Sequence, residues 1–261
     1  MWFTRSYKSL LFSFIFCLLL TALFGGWGCS KSSSGTNLPG INSDNNRLVG
    51  ASASEMLSAG TFTSLKIEIQ SMAGFQPDIN SINNLVSYLN TLINKPGGIS
   101  VVYTSVSSSG GGALSLNDIA TIEKNSRTVY TSGSQLGLYF LITDGAYTQS
   151  NVLGVAYRNT SLCIFGKTIH DNSGAIGQAS RIKLESTVME HESGHVMGLV
   201  DLGTSMQINH KDGAHGNHCD NNNCLMYYAS ETTDILGFLL TGSIPVLDAN
   251  CRADLHANGG K

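Results

Sequence analysis

The chain has 261 residues, 42% of them apolar, 13% charged and 8% aromatic, with a formal net charge of −3. The apolar share excludes a disordered chain, and the length suits one domain or two small ones. The charged fraction is about half the ~25% usual in globular proteins. With no basic excess to neutralise a phosphate backbone, nucleic acid is not expected as a partner.

Residues 1–28 read as a signal peptide. Arg5 and Lys8 make a positive start with no acid, and residues 10–24 are a nearly unbroken apolar run. That run is shorter than the ~20 residues a membrane span needs but suits a signal-peptide core. The rest of the chain carries 13 basic against 18 acidic residues, a mildly acidic balance. The segment ends in Gly25-Gly26-Trp27-Gly28-Cys29, which resembles the lipobox of bacterial lipoproteins. The resemblance implies lipidation at Cys29 and an exported protein held on a membrane, on its periplasmic or cell-surface face; ordinary secretion is the alternative. Residues 29–47 are small, polar and turn-rich, the composition of a flexible tether, and one globular domain is expected over 48–261.

Along that domain, alternation of Phe62, Leu65, Ile67 and Ile69 predicts a strand over 61–70. Ile79, Ile82, Leu85, Val86, Leu89 and Ile93 recur at helical spacing and predict a helix over 78–93. A β-branched strand follows at 99–106, then a helix at 116–130. Residues 136–143 (LGLYFLIT) are continuously apolar, as in a buried central strand. Two short strands, 152–157 and 161–165, suggest a hairpin around Arg158-Asn159-Thr160. A third helix spans 182–199. Beyond it the chain is loop-rich, with a last helix expected near 232–240. This order predicts an α/β (α+β) fold with a mixed sheet, divided into an N-terminal subdomain to about 199 and a C-terminal one over 200–261.

The chemistry lies in Glu190-His191-Glu192-Ser193-Gly194-His195-Val196-Met197-Gly198-Leu199-Val200-Asp201. His191 and His195, four apart on a helix, project from one face and can bind one metal ion. Zinc suits two neutral imidazoles plus a carboxylate with a fourth position for water. Glu192 beside them can act as general base on that water. Gly198 permits the turn that would bring Asp201 back as third ligand. His210, His215 and His218 in the following loop are alternative ligands, and Glu231 would be the third ligand of a gluzincin-like site. With Cys17 in the signal segment and Cys29 at the lipid site, Cys163, Cys219, Cys224 and Cys251 remain. An even number in an exported chain favours disulfides.

The pattern resembles that of the metzincin metallopeptidases, H-E-x-x-H-x-x-G-x-x-H/D followed by a Met-turn. Asp201 as third ligand looks like the snapalysin-type variant. The resemblance implies a mixed twisted sheet with a substrate-side edge strand near 152–165, an active-site helix and a catalytic zinc. It also implies a Met-turn at Met226 and an oxyanion-stabilising Tyr228, with Tyr227 competing for that role. Cys219-x4-Cys224-Leu225-Met226 further resembles the archaemetzincin pattern, in which two such cysteines and a later C-x-x-C hold a structural zinc. Here the later pair is Asp248 and Cys251. The expected activity is hydrolysis of peptide bonds in a peptide or protein substrate. The rival reading is a non-catalytic surface lipoprotein that binds metal or a partner on the same scaffold.

Overall fold

The alternating apolar residues of the first expected strand fold as predicted. A computed structural model describes residues 38–261, so the signal peptide and Cys29 lie outside the described residues. After a short helix α1 (Ala53–Leu57) come β1 (Ser64–Met72), α2 (Ile79–Leu92), β2 (Ile99–Val106), β3 (Ala113–Leu114) and α3 (Leu116–Ser126). They are followed by β4 (Gln135–Ile142), β5 (Ala146–Tyr147), β6 (Gly154–Arg158), β7 (Ser161–Ile164), α4 (Gly166–Asp171) and α5 (Arg181–Val196). Two helices close the chain, α6 (Leu236–Thr241) and α7 (Ala249–Ala257).

The main sheet has the order β2-β1-β4-β7-β6. β1 runs parallel to both β2 and β4, and β4 runs parallel to β7. β6 is antiparallel to β7 and forms an edge, as the hairpin signal predicted. On one face Leu65, Ile67, Leu138 and Phe140 pack with Leu85 and Leu89 of α2 and Leu184 and Val188 of α5. On the other, Tyr139, Leu141 and Cys163 meet Ile119 and Ala120 of α3. A β4 buried on both faces explains why its sequence is apolar without alternation.

Three expectations need correction. Helix α3 stops at Ser126 rather than 130, because the buried Glu68 carboxylate accepts the Thr128 and Val129 N–H groups at 2.9 and 2.8 Å and draws the chain out of the helix. The described end of the expected tether is packed: the Asn45 side-chain amide donates to Thr160 Oγ1 at 2.8 Å and Thr131 Oγ1 at 3.0 Å. Arg158 also donates to the Pro39 carbonyl. Finally, the helix expected near 232–240 begins as a 3-10 turn before α6, and α7 follows it, capped by the Asp248 side chain. Among the described residues no helix is long and apolar enough to cross a membrane.

Candidate metal centre

Helix α5 is buried from Leu184 to Val196, because the sheet, α2 and the C-terminal segment surround it. It ends where Gly198 adopts a φ of +89°, with the Gly198 N–H bonded to the His195 carbonyl at 2.9 Å and the Leu199 N–H to Gly194 at 3.0 Å. His191 and His195 share one helix face. The Nδ1–H of His191 donates to the Leu225 carbonyl at 2.7 Å, and that of His195 to the Leu199 carbonyl at 2.9 Å. Each bond fixes the tautomer and turns a bare Nε2 inward. The two Nε2 atoms stand 3.1 Å apart.

The third imidazole is that of His218. Its Nδ1–H donates to the His215 carbonyl at 2.7 Å, and its ring stacks on His191 with centroids 5.3 Å apart. Its Nε2 is buried without a hydrogen-bond partner among the described residues. His191, His195, His218 and Glu231 each bring a ligand atom into one group spanning no more than 4.8 Å. Burial pulls the basicity of His191 down and that of His195 well down, which keeps both rings neutral.

Asp201 lies outside this group. Its side chain is 51% exposed and pairs with Lys211 Nζ at 2.9 Å. The turn at Gly198 directs the chain outward instead of back to the histidines. The Gly198 carbonyl accepts from Leu202 and Thr204, and Asp201 itself has a φ of +62°. The Val200 N–H then bonds the Asn217 carbonyl at 3.3 Å, and the Asn217 amide returns a bond to the Val200 carbonyl at 3.0 Å. The loop 201–216 is closed at that base, and the next residue, His218, arrives where Asp201 was expected. His215 stays exposed against Asp212, while His210 joins a different cluster.

Glu192 is fully buried, with Oε2 accepting the Ala156 N–H of edge strand β6 at 2.6 Å. Gly154 permits this approach, since a Cβ there would lie 2.9 Å from Glu192 Oε1 and 2.5 Å from Val188 Cγ1. Met226 packs against Gly194 of α5, where an added methyl would run into its sulphur. Gly194→Ala should therefore cost about 2 kcal/mol through overpacking. Thermal unfolding should show a fall of several degrees; an unchanged melting temperature would mean that Met226 yields freely. Tyr228 stacks on His215 with centroids 3.7 Å apart. Burial, Tyr227 and nearby carboxylates raise its phenol's pKa, so it keeps its proton.

Among the described residues the four cysteines, Cys163, Cys219, Cys224 and Cys251, are free thiols. Cys163 lies alone on β7, so the expected two disulfides do not form. Cys219, Cys224 and Cys251 instead gather with His210. Cys224 Sγ is 3.6 Å from Cys251 Sγ, and His210 Nδ1 lies 3.4 Å from Cys219 Sγ and 3.9 Å from Cys251 Sγ. The His210 Nε2–H donates to Asp254 Oδ2 at 2.8 Å. Sulphur contacts with Cys219 and Cys251, with backbone N–H groups of Asp248 and Met226, pull the Cys224 thiol down to about 4. His210, Cys219, Asp248 and Cys251 each bring a ligand atom into one group spanning no more than 4.8 Å, as the sequence expected for Asp248; its Oδ2, 3.4 Å from Cys219 Sγ, also accepts from Asn221 while Oδ1 caps α7 through the Cys251 N–H.

The crystal structure of archaemetzincin from Methanopyrus kandleri matches with a TM-score of 0.50 at 15% identity, over 76% of this chain and 96% of that one. The chain has an archaemetzincin-like fold. Metalloproteinase-II from Bacteroides fragilis is similar over 77% of this chain and 54% of its own length, with a TM-score of 0.42 and 15% identity. No protein-family model matches the chain, and no curated protein does so. Within this fold the sequence reading did not find Asp254, the carboxylate behind His210. Its only signal was a polar residue on a short helix that the periodicity did not reveal.

Proposed function

We propose that the protein is a zinc-dependent metzincin endopeptidase, exported and held on a membrane through a lipidated Cys29. One observation carries the catalytic reading. Three imidazoles, each tied by Nδ1 to a backbone carbonyl, bring their ligand atoms into one buried group at the helix that carries Glu192. Nitrogen lone pairs 3.1 Å apart in a buried place repel one another, so this arrangement is stable around a cation, and three neutral imidazoles fit zinc. When bound, zinc supplies Lewis acidity, making water more acidic and polarising a peptide carbonyl.

The chain's own residues do the rest. Glu192 takes a proton from the attacking water and delivers it to the departing amine. The β6 backbone holds that carboxylate still through Ala156, and β6, as the sheet edge, offers an extended peptide a strand to pair with. Tyr228, protonated, is the oxyanion donor in this reading. Cys219, Cys224, Cys251 and His210 form a second, structural zinc site, with Asp254 fixing the His210 ring. Glu192→Gln should keep the zinc and lose about 10²–10⁴-fold in peptide cleavage. Cleavage at the wild-type rate with zinc retained would remove Glu192 from the mechanism.

A further inference from the structure

Glu231 shares the donor group with the three histidines, and its backbone shares the edge of the sheet with β6. Its Oε2 is 3.7 Å from His191 Nε2 and its Oε1 is 3.6 Å from His218 Nε2. Donors around a tetrahedral zinc stand about 3.4 Å apart, so the carboxylate is spaced as a fourth ligand. Structural zinc sites are closed by four protein donors, whereas catalytic ones leave a position open for water. A set of three histidines and Glu231 is of the closed kind.

The backbone around Glu231 is equally committed. The carbonyl of Glu231 accepts the Leu153 N–H at 2.8 Å, the Thr233 N–H donates to the Asn151 carbonyl at 2.9 Å, and Val152 pairs with Thr232. These bonds cover the chain leading into β6, where a substrate strand would begin to pair. Glu231, His191, His195, His218 and Glu192 are all buried.

We propose that Glu231 is a displaceable fourth ligand and that residues 229–233 are a built-in plug, occupying together the water position and the start of the substrate edge. A peptide that pairs with β6 draws the segment away and opens the site. This inference rests on the zinc-peptidase reading. The test compares purified full-length wild type with Glu231→Gln and Glu231→Ala, with melting temperatures confirming that each folds. Three quantities are read: zinc affinity by chelator competition, the visible spectrum of the cobalt-substituted protein, and cleavage of a peptide library. The cobalt bands of a nitrogen and oxygen site carry no thiolate charge transfer, which separates them from the cysteine cluster. The expected result is zinc bound at least tenfold more weakly, altered cobalt bands, and faster cleavage in both variants. Unchanged affinity and unchanged cobalt bands would overturn the ligand assignment. Weaker binding with no gain in cleavage, in a wild type that does cleave, would overturn the plug. Weaker binding with no cleavage by any form, wild type included, would leave Glu231 as a ligand and overturn the peptidase reading instead.

Discussion

Replacing His218 with Ala should weaken zinc binding at the histidines about a hundredfold and sharply reduce peptide cleavage, while Asp201→Ala should leave both close to wild type. Structural zinc sites bind with about 10–16 kcal/mol, so one ligand of four is worth about 3 kcal/mol, or a hundredfold in affinity. His218 gives a buried Nε2 to the group and has its ring fixed by the His215 carbonyl. Asp201 is half exposed and its pair with Lys211 is a surface ion pair, worth about 0–1 kcal/mol. Zinc titration of the two variants checks the assignment. Zinc lost by Asp201→Ala and kept by His218→Ala would reverse it.

Cys251→Ser should lower the zinc content from two ions per chain to one and lower the melting temperature sharply. Cys163→Ser is the control, because Cys163 lies apart on β7 and should leave the zinc content unchanged. The C-terminal segment is short of regular structure: between α5 and α6 it contains turns, isolated β-bridges and two 3-10 helices. Its order depends on the cluster, which ties the loop at His210, the turn at Cys219 and Cys224, and α7 at Cys251. His210→Ala removes the nitrogen donor and should weaken the second zinc strongly. Asp254→Asn, which only loosens the ring, should cost about 10–100-fold in affinity. Intact-mass measurement under denaturing, non-reducing conditions gives the opposing outcome. A mass two units low for each bond would mean disulfides in place of the zinc site.

How much of this was readable from residues alone follows the range of the interactions. Period-two and period-3.6 patterns are local, so β1, β2, β4, the β6–β7 hairpin, α2 and α5 stand close to where the sequence placed them. The pairing of His191 with His195 is likewise four residues of one helix. The third imidazole is not local. It depends on a loop that leaves at Val200 and returns at Asn217, and a spacing rule counted from His195 lands on Asp201 at the start of that excursion. The early end of α3 was hidden for the same reason, because its cause, Glu68, is some sixty residues away on β1. Helix α7 (ANCRADLHA) has too few apolar residues for a periodic signal.

His218 and Cys219 are consecutive, yet one faces the histidine group and the other the thiol cluster. Leu225 and Cys224 repeat the arrangement: one gives its carbonyl to His191, while the other adds its sulphur to the cluster. The Cys219 N–H also bonds the Met226 carbonyl at 2.8 Å, joining the two strips of backbone. An ion that orders either strip thereby lowers the entropic cost of ordering the other. Ions held by the two donor sets would be thermodynamically linked, and linkage is reciprocal: whatever factor an ion at the thiol cluster added to affinity at the histidines, an ion at the histidines would return to the cluster.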